Sequence, residues 1–318
     1  MGDQPDSALD SAARHLPAFP PSLPMPVLRP QLPSLPTSVR LHPQDWEKDL
    51  AGYARRSEMA LNFRKRAWQT FRGSKRRPPL SHAQTAGLIR LFDMTPGQCS
   101  HTKLEAIISL FRDLPEGDIV EIGTLFGRTA LVFALLASRY RTGKVLCVDP
   151  WSSAQRNQDT AGMDAHSEKT PIEEIFQAFT ANLAPWSSVV NYVRKPSTVA
   201  SAIYASGAPV ASPEFGTTEY SLGISLLHIN GSQAVDAVRS DLTSWGGFLR
   251  PDGWIVFDHY RCLFGDGPRQ VADEFCRDFE GHWSTAFEAG GALFVRLNGT
   301  RAFHSANRSL LWECAGLH

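Results

Sequence analysis

The run Asp118-Ile119-Val120-Glu121-Ile122-Gly123-Thr124-Leu125-Phe126-Gly127-Arg128-Thr129 decides the fold. Asp118 to Ile122 reads as a buried strand, and the glycine turn behind it opens an apolar helix over Thr129 to Ser138. Gly123 and Gly127 remove side chains where the backbone must bend sharply and approach another group. The helix start then directs unpaired N–H groups at whatever sits there. The spacing is G-x-x-x-G, not the G-x-G-x-x-G of dinucleotide sites, and a glycine pair after a strand serves tight packing as readily as a ligand.

Further along, the strand Lys144 to Val148 ends at Asp149. A carboxylate at the end of a second parallel strand can accept hydrogen bonds from both hydroxyls of a nucleoside held over the first turn. The competing reading is a helix-capping Asp before Pro150. Strand patterns recur at Val189 to Val193, Ser225 to Ile229 and Trp254 to Asp258, with a closing pair at Ser284 to Glu288 and Ala292 to Leu297. Helical patterns fill the intervals at Ile172 to Ala181, Ala234 to Trp245 and Pro268 to Asp278, and Gly207 to Gly216 reads as a loop. Alternating strands and helices predict an α/β sheet.

Before this block lie two different segments. Residues 1–43 carry Pro17, Pro20, Pro21, Pro24, Pro26, Pro30, Pro33 and Pro36, so a disordered or polyproline-like leader is expected. Pro24-Met25-Pro26 and Pro33-Ser34-Leu35-Pro36 could engage an aromatic groove, but we read them as part of a solvated tail. Residues 44–99 read as a partly basic helical extension. Trp46, Leu50, Tyr53, Leu61, Trp68 and Phe71 are available for its apolar side, and Arg55, Arg56, Arg64, Lys65, Arg66, Arg72, Lys75, Arg76 and Arg77 form a basic stripe. We read the stripe as a solvated face rather than a phosphate or membrane site. Residues 100–299 form the expected main domain, and 300–318 a tail.

Composition limits the partners. The chain has 318 residues, 42% hydrophobic and 20% charged, with 32 basic against 32 acidic side chains, so it offers no global field for nucleic acid or anionic membrane. Cys99, Cys147, Cys262, Cys276 and Cys314 lack a C-x-x-C pair and fit neither a disulfide framework nor a zinc site. Ala130 to Ala137, the longest apolar stretch, is too short for a bilayer span, and the N-terminus lacks a basic region followed by an apolar core. A cytoplasmic protein with reduced thiols is expected; oligomeric state is not read.

At residues 120–134 (VEIGTLFGRTALVFA), 144–151 (KVLCVDPW) and 226–260 (LLHINGSQAVDAVRSDLTSWGGFLRPDGWIVFDHY), the chain resembles class I S-adenosylmethionine-dependent methyltransferases. The branch it looks like holds macrolide-sugar O-methyltransferases and cephalosporin-hydroxylase-like domains, and the resemblance covers Thr102 to Leu297. It implies a Rossmann-like, seven-stranded, mostly parallel sheet with a reversed last strand, the cofactor lying over the carboxyl ends of the first two strands. On that pattern Glu121, Gly123, Thr124 and Gly127 surround the methionine end and Asp149 takes the ribose. Trp151 and Ser197 lie near the adenine, and Asn230 completes the cofactor site.

Members with a divalent metal commonly read H-I-D-G-D-H and F-D-D-Y where this chain has His228-Ile229-Asn230-Gly231-Ser232-Gln233 and Phe257-Asp258-His259-Tyr260. The resemblance therefore implies Asn230, Asp258 and His259 as metal ligands, but the lost carboxylate weakens a hard Mg²⁺ site, which favours anionic oxygen. His259 beside Asp258 is the first choice of base, because imidazole titrates near neutrality. His228 is the second choice, set against a core role, and Tyr260 could orient an acceptor or simply pack. The loop from Trp151 to Thr170, with Arg156, Asp159, Asp164, His166 and Glu168, is long enough to cover a substrate.

The expected activity is methyl transfer from S-adenosylmethionine to a hydroxyl of a sugar, glycan or glycosylated small molecule. A second reading is a methyltransferase-like binding subunit without turnover, since Asn230, Ser232 and Gln233 replace charged groups. A nicotinamide-dependent oxidoreductase shares the strand, turn and acid but has the wrong glycine spacing.

Overall fold

The computed structural model describes residues 51–62, 77–152, 170–261 and 265–299. Its strands are β1 (Asp118–Ile122), β2 (Val145–Val148), β3 (Val190–Val193), β4 (Val210–Ser212), β5 (Gly216–Thr218), β6 (Ile224–Ile229), β7 (Leu249–Phe257), β8 (Trp283–Ala289) and β9 (Ala292–Leu297). Seven of them form one sheet in the order β3-β2-β1-β6-β7-β9-β8. The first five run parallel, and β9 lies antiparallel to both β7 and β8. This is the expected seven-stranded sheet of a Rossmann-like methyltransferase fold.

The helices are α1 (described over residues 51–62), α2 (His82–Met94), α3 (His101–Leu110), α4 (Arg128–Tyr140), α5 (Ile172–Leu183), α6 (Ser197–Ala205), α7 (Val235–Gly246) and α8 (Gly267–Asp278). β1 is buried along its whole length, and its alternating side chains feed two apolar layers. Ile119 joins Leu104 and Ile107 of α3 and Phe133 of α4, whereas Val120 and Ile122 join Val238 and Trp245 of α7 and Val271 of α8. Helices therefore cover both faces of the sheet, leaving its strand ends for a ligand.

Register carries polar groups into the first layer. Cys147 of β2, Glu121 of β1, His228 of β6 and Val256 of β7 are in register across four parallel strands, so their side chains share one face. α3 lies on that face, and Ser100 caps it by accepting the Lys103 N–H at 3.2 Å. Lys103, Ile107 and Leu110 follow at intervals of four and three along one stripe, so Lys103 is carried inward with the apolar residues.

Several elements differ from the expectation. The stretch read as a loop, Gly207 to Gly216, holds β4 and the start of an antiparallel hairpin with β5. Asn191 of β3 explains it: its buried amide donates to the carbonyls of Val210 and Gly216, both at 3.0 Å, while Val210 and Phe215 are buried. β7 starts at Leu249 rather than Trp254, running through Pro251-Asp252-Gly253 with a register shift against β6. In α1, Tyr53 and Leu61 are 62% and 45% exposed, whereas Gly52 and Ala60 are buried, so the two described residues of the expected apolar side face outward and the small residues inward. α2 lies within the expected helical extension 44–99 and opens on a capping box between Ser81 and Gln84, whereas α6 had no expected range of its own.

The leader 1–43, the cluster Arg72 to Arg76, the loop residues 153–169, Cys262, Cys314 and the tail 300–318 lie outside the described residues. Cys99, Cys147 and Cys276 are unpaired thiols. Among the described residues no helix is long and apolar enough to cross a membrane.

Candidate functional site

A cavity of about 300 Å³ opens at the carboxyl ends of the central parallel strands. Its floor is the turn Gly123-Thr124-Leu125 after β1, flanked by Asp149 after β2 and by Asn230 to Gln233 after β6. Ser197 at the start of α6 forms one side, and His259 after β7 forms another. The remaining wall is the segment Pro96 to Cys99 with Arg128. Arg128 fastens that wall: its guanidinium donates to the carbonyls of Phe92, Gly97 and Cys99 and stacks on the Phe92 ring at 4.2 Å.

The turn is held by polar contacts from both neighbouring strands. Asp149 Oδ2 accepts the N–H groups of Thr124 and Leu125, both at 3.0 Å, and its Oδ1 accepts the Trp151 N–H at 2.8 Å. Burial raises the Asp149 pKa above the ordinary carboxylate value against the pull of those three donors. On the other side, the Asn230 amide donates to the Gly123 carbonyl at 3.0 Å and the Asn230 N–H to that of Ile122 at 2.9 Å. Gly123 has φ 82°, and a β-carbon there would run into the Asn230 carbonyl. Gly123→Ala is expected to cost about 2 kcal/mol or more in unfolding free energy and to loosen this turn; denaturant melts of the two proteins measure it.

Not every expected residue reaches the cavity. Gly127 has φ 85° and caps α4, but the room it leaves is filled by Leu183 and Phe179 of α5, so its work is packing. Trp151 is buried away from the cavity. Its indole donates to the Leu125 carbonyl at 3.0 Å and packs on Phe176, Phe179 and Tyr192, with centroids 4.7 to 5.9 Å apart. The ring thus buttresses the turn from behind, where the adenine position was expected. Ser197 does line the cavity, with its Oγ accepting from Trp245 Nε1 at 2.9 Å. Tyr260 donates its hydroxyl to Asp273 of α8 at 2.7 Å and is absent from the lining.

Behind the cavity wall lies a buried charge cluster. Glu121 Oε1 meets His228 Nδ1 at 3.0 Å, and His228 Nε2 lies 3.5 Å from Asp258 Oδ2. The same Asp258 oxygen takes the ammonium of Lys103, which is 1% exposed. Burial opposes the Lys103 charge, but Asp258, Cys99 and Glu121 together outweigh it and raise the pKa. Burial likewise opposes ionisation of Asp258, yet Lys103, His228 and His259 hold its pKa well below the usual range. At Glu121 burial wins over His228 and Lys103, and the pKa is raised. His228 thus sits in the core, edge-on to Phe133 at 5.5 Å, and Glu121 faces this cluster instead of the cavity.

His259 borders both regions. Its N–H donates to Asp258 Oδ1 at 2.9 Å, which holds the backbone at φ 56°, and the residue lines the cavity. Burial lowers its pKa, only partly countered by Asp258, so the imidazole is neutral around neutral pH and able to accept a proton. Leu125, Trp151 and His259, three of the six described non-glycine residues with positive φ, stand in the loops after β1, β2 and β7. Two of them, Leu125 and His259, line the cavity.

The metal ligands implied by the resemblance do not fit a divalent ion. Asp258 spends one oxygen on Lys103 and the other on the His259 N–H, while Asn230 supplies no charge. Among the described residues no group of three or more His, Cys, Asp or Glu is placed to hold a metal. Lys103 was missed in the sequence; its signal is a lysine in register with Ile107 and Leu110 on an apolar helical stripe.

The sheet order, with a glycine turn and an acid at the first two strand ends, defines the class I methyltransferase fold. A family model described as a methyltransferase domain matches residues 120–260, from within β1 to the turn after β7. Similar solved structures include CalS11, a calicheamicin methyltransferase (14% identity, 76% of this chain and 91% of that chain, TM-score 0.43). Others are the O-methyltransferase NovP (13%, 69% and 82%, 0.40) and the mycinamycin-pathway methyltransferase MycE with Mg and SAH (12%, 71% and 55%, 0.42). No curated protein matches the chain.

Proposed function

We propose that this protein transfers a methyl group from S-adenosylmethionine to a hydroxyl of a sugar or glycosylated small molecule. The observation that carries the reading is one cavity bounded by the Asp149-pinned glycine turn and by His259. Three features suit the cofactor. Asp149 Oδ1 has a lone pair left for a ribose hydroxyl. Arg128 and Thr129 line the cavity at the start of α4, whose cap Gly127 offers no side chain to the first N–H groups, leaving them for a carboxylate. The volume falls within the range of small-molecule sites.

When bound, the sulfonium supplies an already activated methyl, so the protein's task is alignment and proton removal. His259 takes the proton from the acceptor hydroxyl as the C–O bond forms and the C–S electron pair returns to sulfur. Asp258 and the Asn230 amide hold the His259 backbone and the Gly123 carbonyl in place. The acceptor class follows from the sequence resemblance. Calorimetry with S-adenosylmethionine tests the cofactor, and release of S-adenosylhomocysteine across a panel of glycosides tests transfer. Absence of binding to folded protein would sink the reading. Binding without turnover on every acceptor would favour the second reading, a binding subunit, for which the uncharged Asn230, Ser232 and Gln233 at the cavity speak.

A further inference from the structure

We propose that Lys103 is the resident counter-cation of Asp258, the carboxylate that a divalent metal would need, and that it positions His259 through Asp258. The inference deepens the methyltransferase reading and rests on it only where turnover is measured. Three observations carry it. The Lys103 ammonium is enclosed and donates to Asp258 Oδ2, so it holds the only carboxylate that the two strand-end motifs retain. Asp258 Oδ1 accepts the His259 N–H, so each of its oxygens already carries a donor. The other strand end offers Asn230, whose amide is turned to the Gly123 carbonyl.

Charge explains why a lysine suffices. A divalent ion needs anionic oxygens to offset its charge, and with Asp258 alone it would leave a surplus in a dry site. One ammonium against one carboxylate balances. Glu121 is the other acid of the cluster and meets His228 on the far side. Lys103 therefore supplies the fixed positive charge that keeps Asp258 an acceptor, and Asp258 in turn keeps His259 in its left-handed conformation at the cavity wall. Lys103 is a positioning residue, since it does not line the cavity itself.

The test uses the full chain and three readouts. Titration with Mn²⁺ followed by electron paramagnetic resonance is expected to show no site tighter than about 1 mM, and turnover is expected to survive EDTA unchanged. In thermal unfolding, Lys103→Met and Asp258→Asn are each expected to lower the midpoint by about 10 °C, and the double variant to recover at least half of the summed loss. In kinetics, Lys103→Met should lower kcat at least tenfold while S-adenosylmethionine affinity stays within threefold, and Mn²⁺ should not rescue it. The proposal is overturned by a Mn²⁺ site that Asp258→Asn abolishes, by EDTA inactivation reversed by Mn²⁺ or Mg²⁺, or by additive midpoint losses in the double variant. Should Lys103→Met fail to fold, the Mn²⁺ and EDTA measurements on the unaltered protein still decide it. Failure to bind S-adenosylmethionine would strike the methyltransferase reading and leave the Mn²⁺ titration and the unfolding cycle interpretable.

Discussion

His259→Asn is expected to lower turnover by about 10²- to 10⁴-fold while leaving S-adenosylmethionine affinity within threefold, the span that a positioned general base contributes. Asparagine is the informative replacement. His259 sits at φ 56°, a region that Asn tolerates better than Ala, so the backbone that donates to Asp258 survives the change. The loss then reports the imidazole alone. Burial keeps that imidazole neutral, and a neutral ring in the wall of the cavity can take a hydroxyl proton without first losing one of its own. The measurement is single-turnover release of S-adenosylhomocysteine at saturating cofactor, which separates the chemical step from binding. Turnover within threefold of the parent would show that alignment supplies the rate and that the hydroxyl loses its proton to water.

What could be read from the sequence was what local burial dictates. β1, β6 and the end of β7 are buried along their length because helices cover both faces of the sheet, so their largely apolar strands stand out within a few residues. Asp149 and the glycine turn were legible for a related reason: strand, turn and acid follow one another within one βαβ unit. Long-range pairings were not. Lys103 meets Asp258 across 155 positions and Glu121 meets His228 across 107, and nothing in a local pattern announces either. Trp151 follows the same rule. Beside Asp149 it suggests a ring over an adenine, yet Phe176 and Phe179 of α5 offer it a buried aromatic nest, and apolar burial with the indole N–H satisfied by Leu125 takes precedence. The hairpin of β4 and β5 was hidden because its pairing depends on Asn191, a polar residue inside a strand.

Asp149→Ala is expected to weaken S-adenosylmethionine binding by about 100-fold, equivalent to roughly 2.7 kcal/mol. Two losses combine in it. The carboxylate is the acceptor for the N–H groups of Thr124, Leu125 and Trp151, and removing it leaves three donors at the turn without a partner. On the proposed reading it also removes the oxygen that would meet the ribose. A paired set of ligands separates the two. An ionised carboxylate has about four acceptor positions; Oδ2 spends its two on Thr124 and Leu125, and Oδ1 spends one on Trp151, which leaves a single position. Asp149 can therefore grip one ribose hydroxyl, not both. With 2′-deoxy and 3′-deoxy analogues of S-adenosylhomocysteine, the unaltered protein should lose about tenfold or more in affinity for one analogue through Asp149. Asp149→Ala should show no further loss for that same analogue. The other analogue should behave identically toward both proteins, apart from contacts outside Asp149. Equal coupling of Asp149 to both hydroxyls would mean that the turn gives up one of its N–H bonds when the nucleoside binds. Coupling to neither would place the sugar away from the second strand altogether.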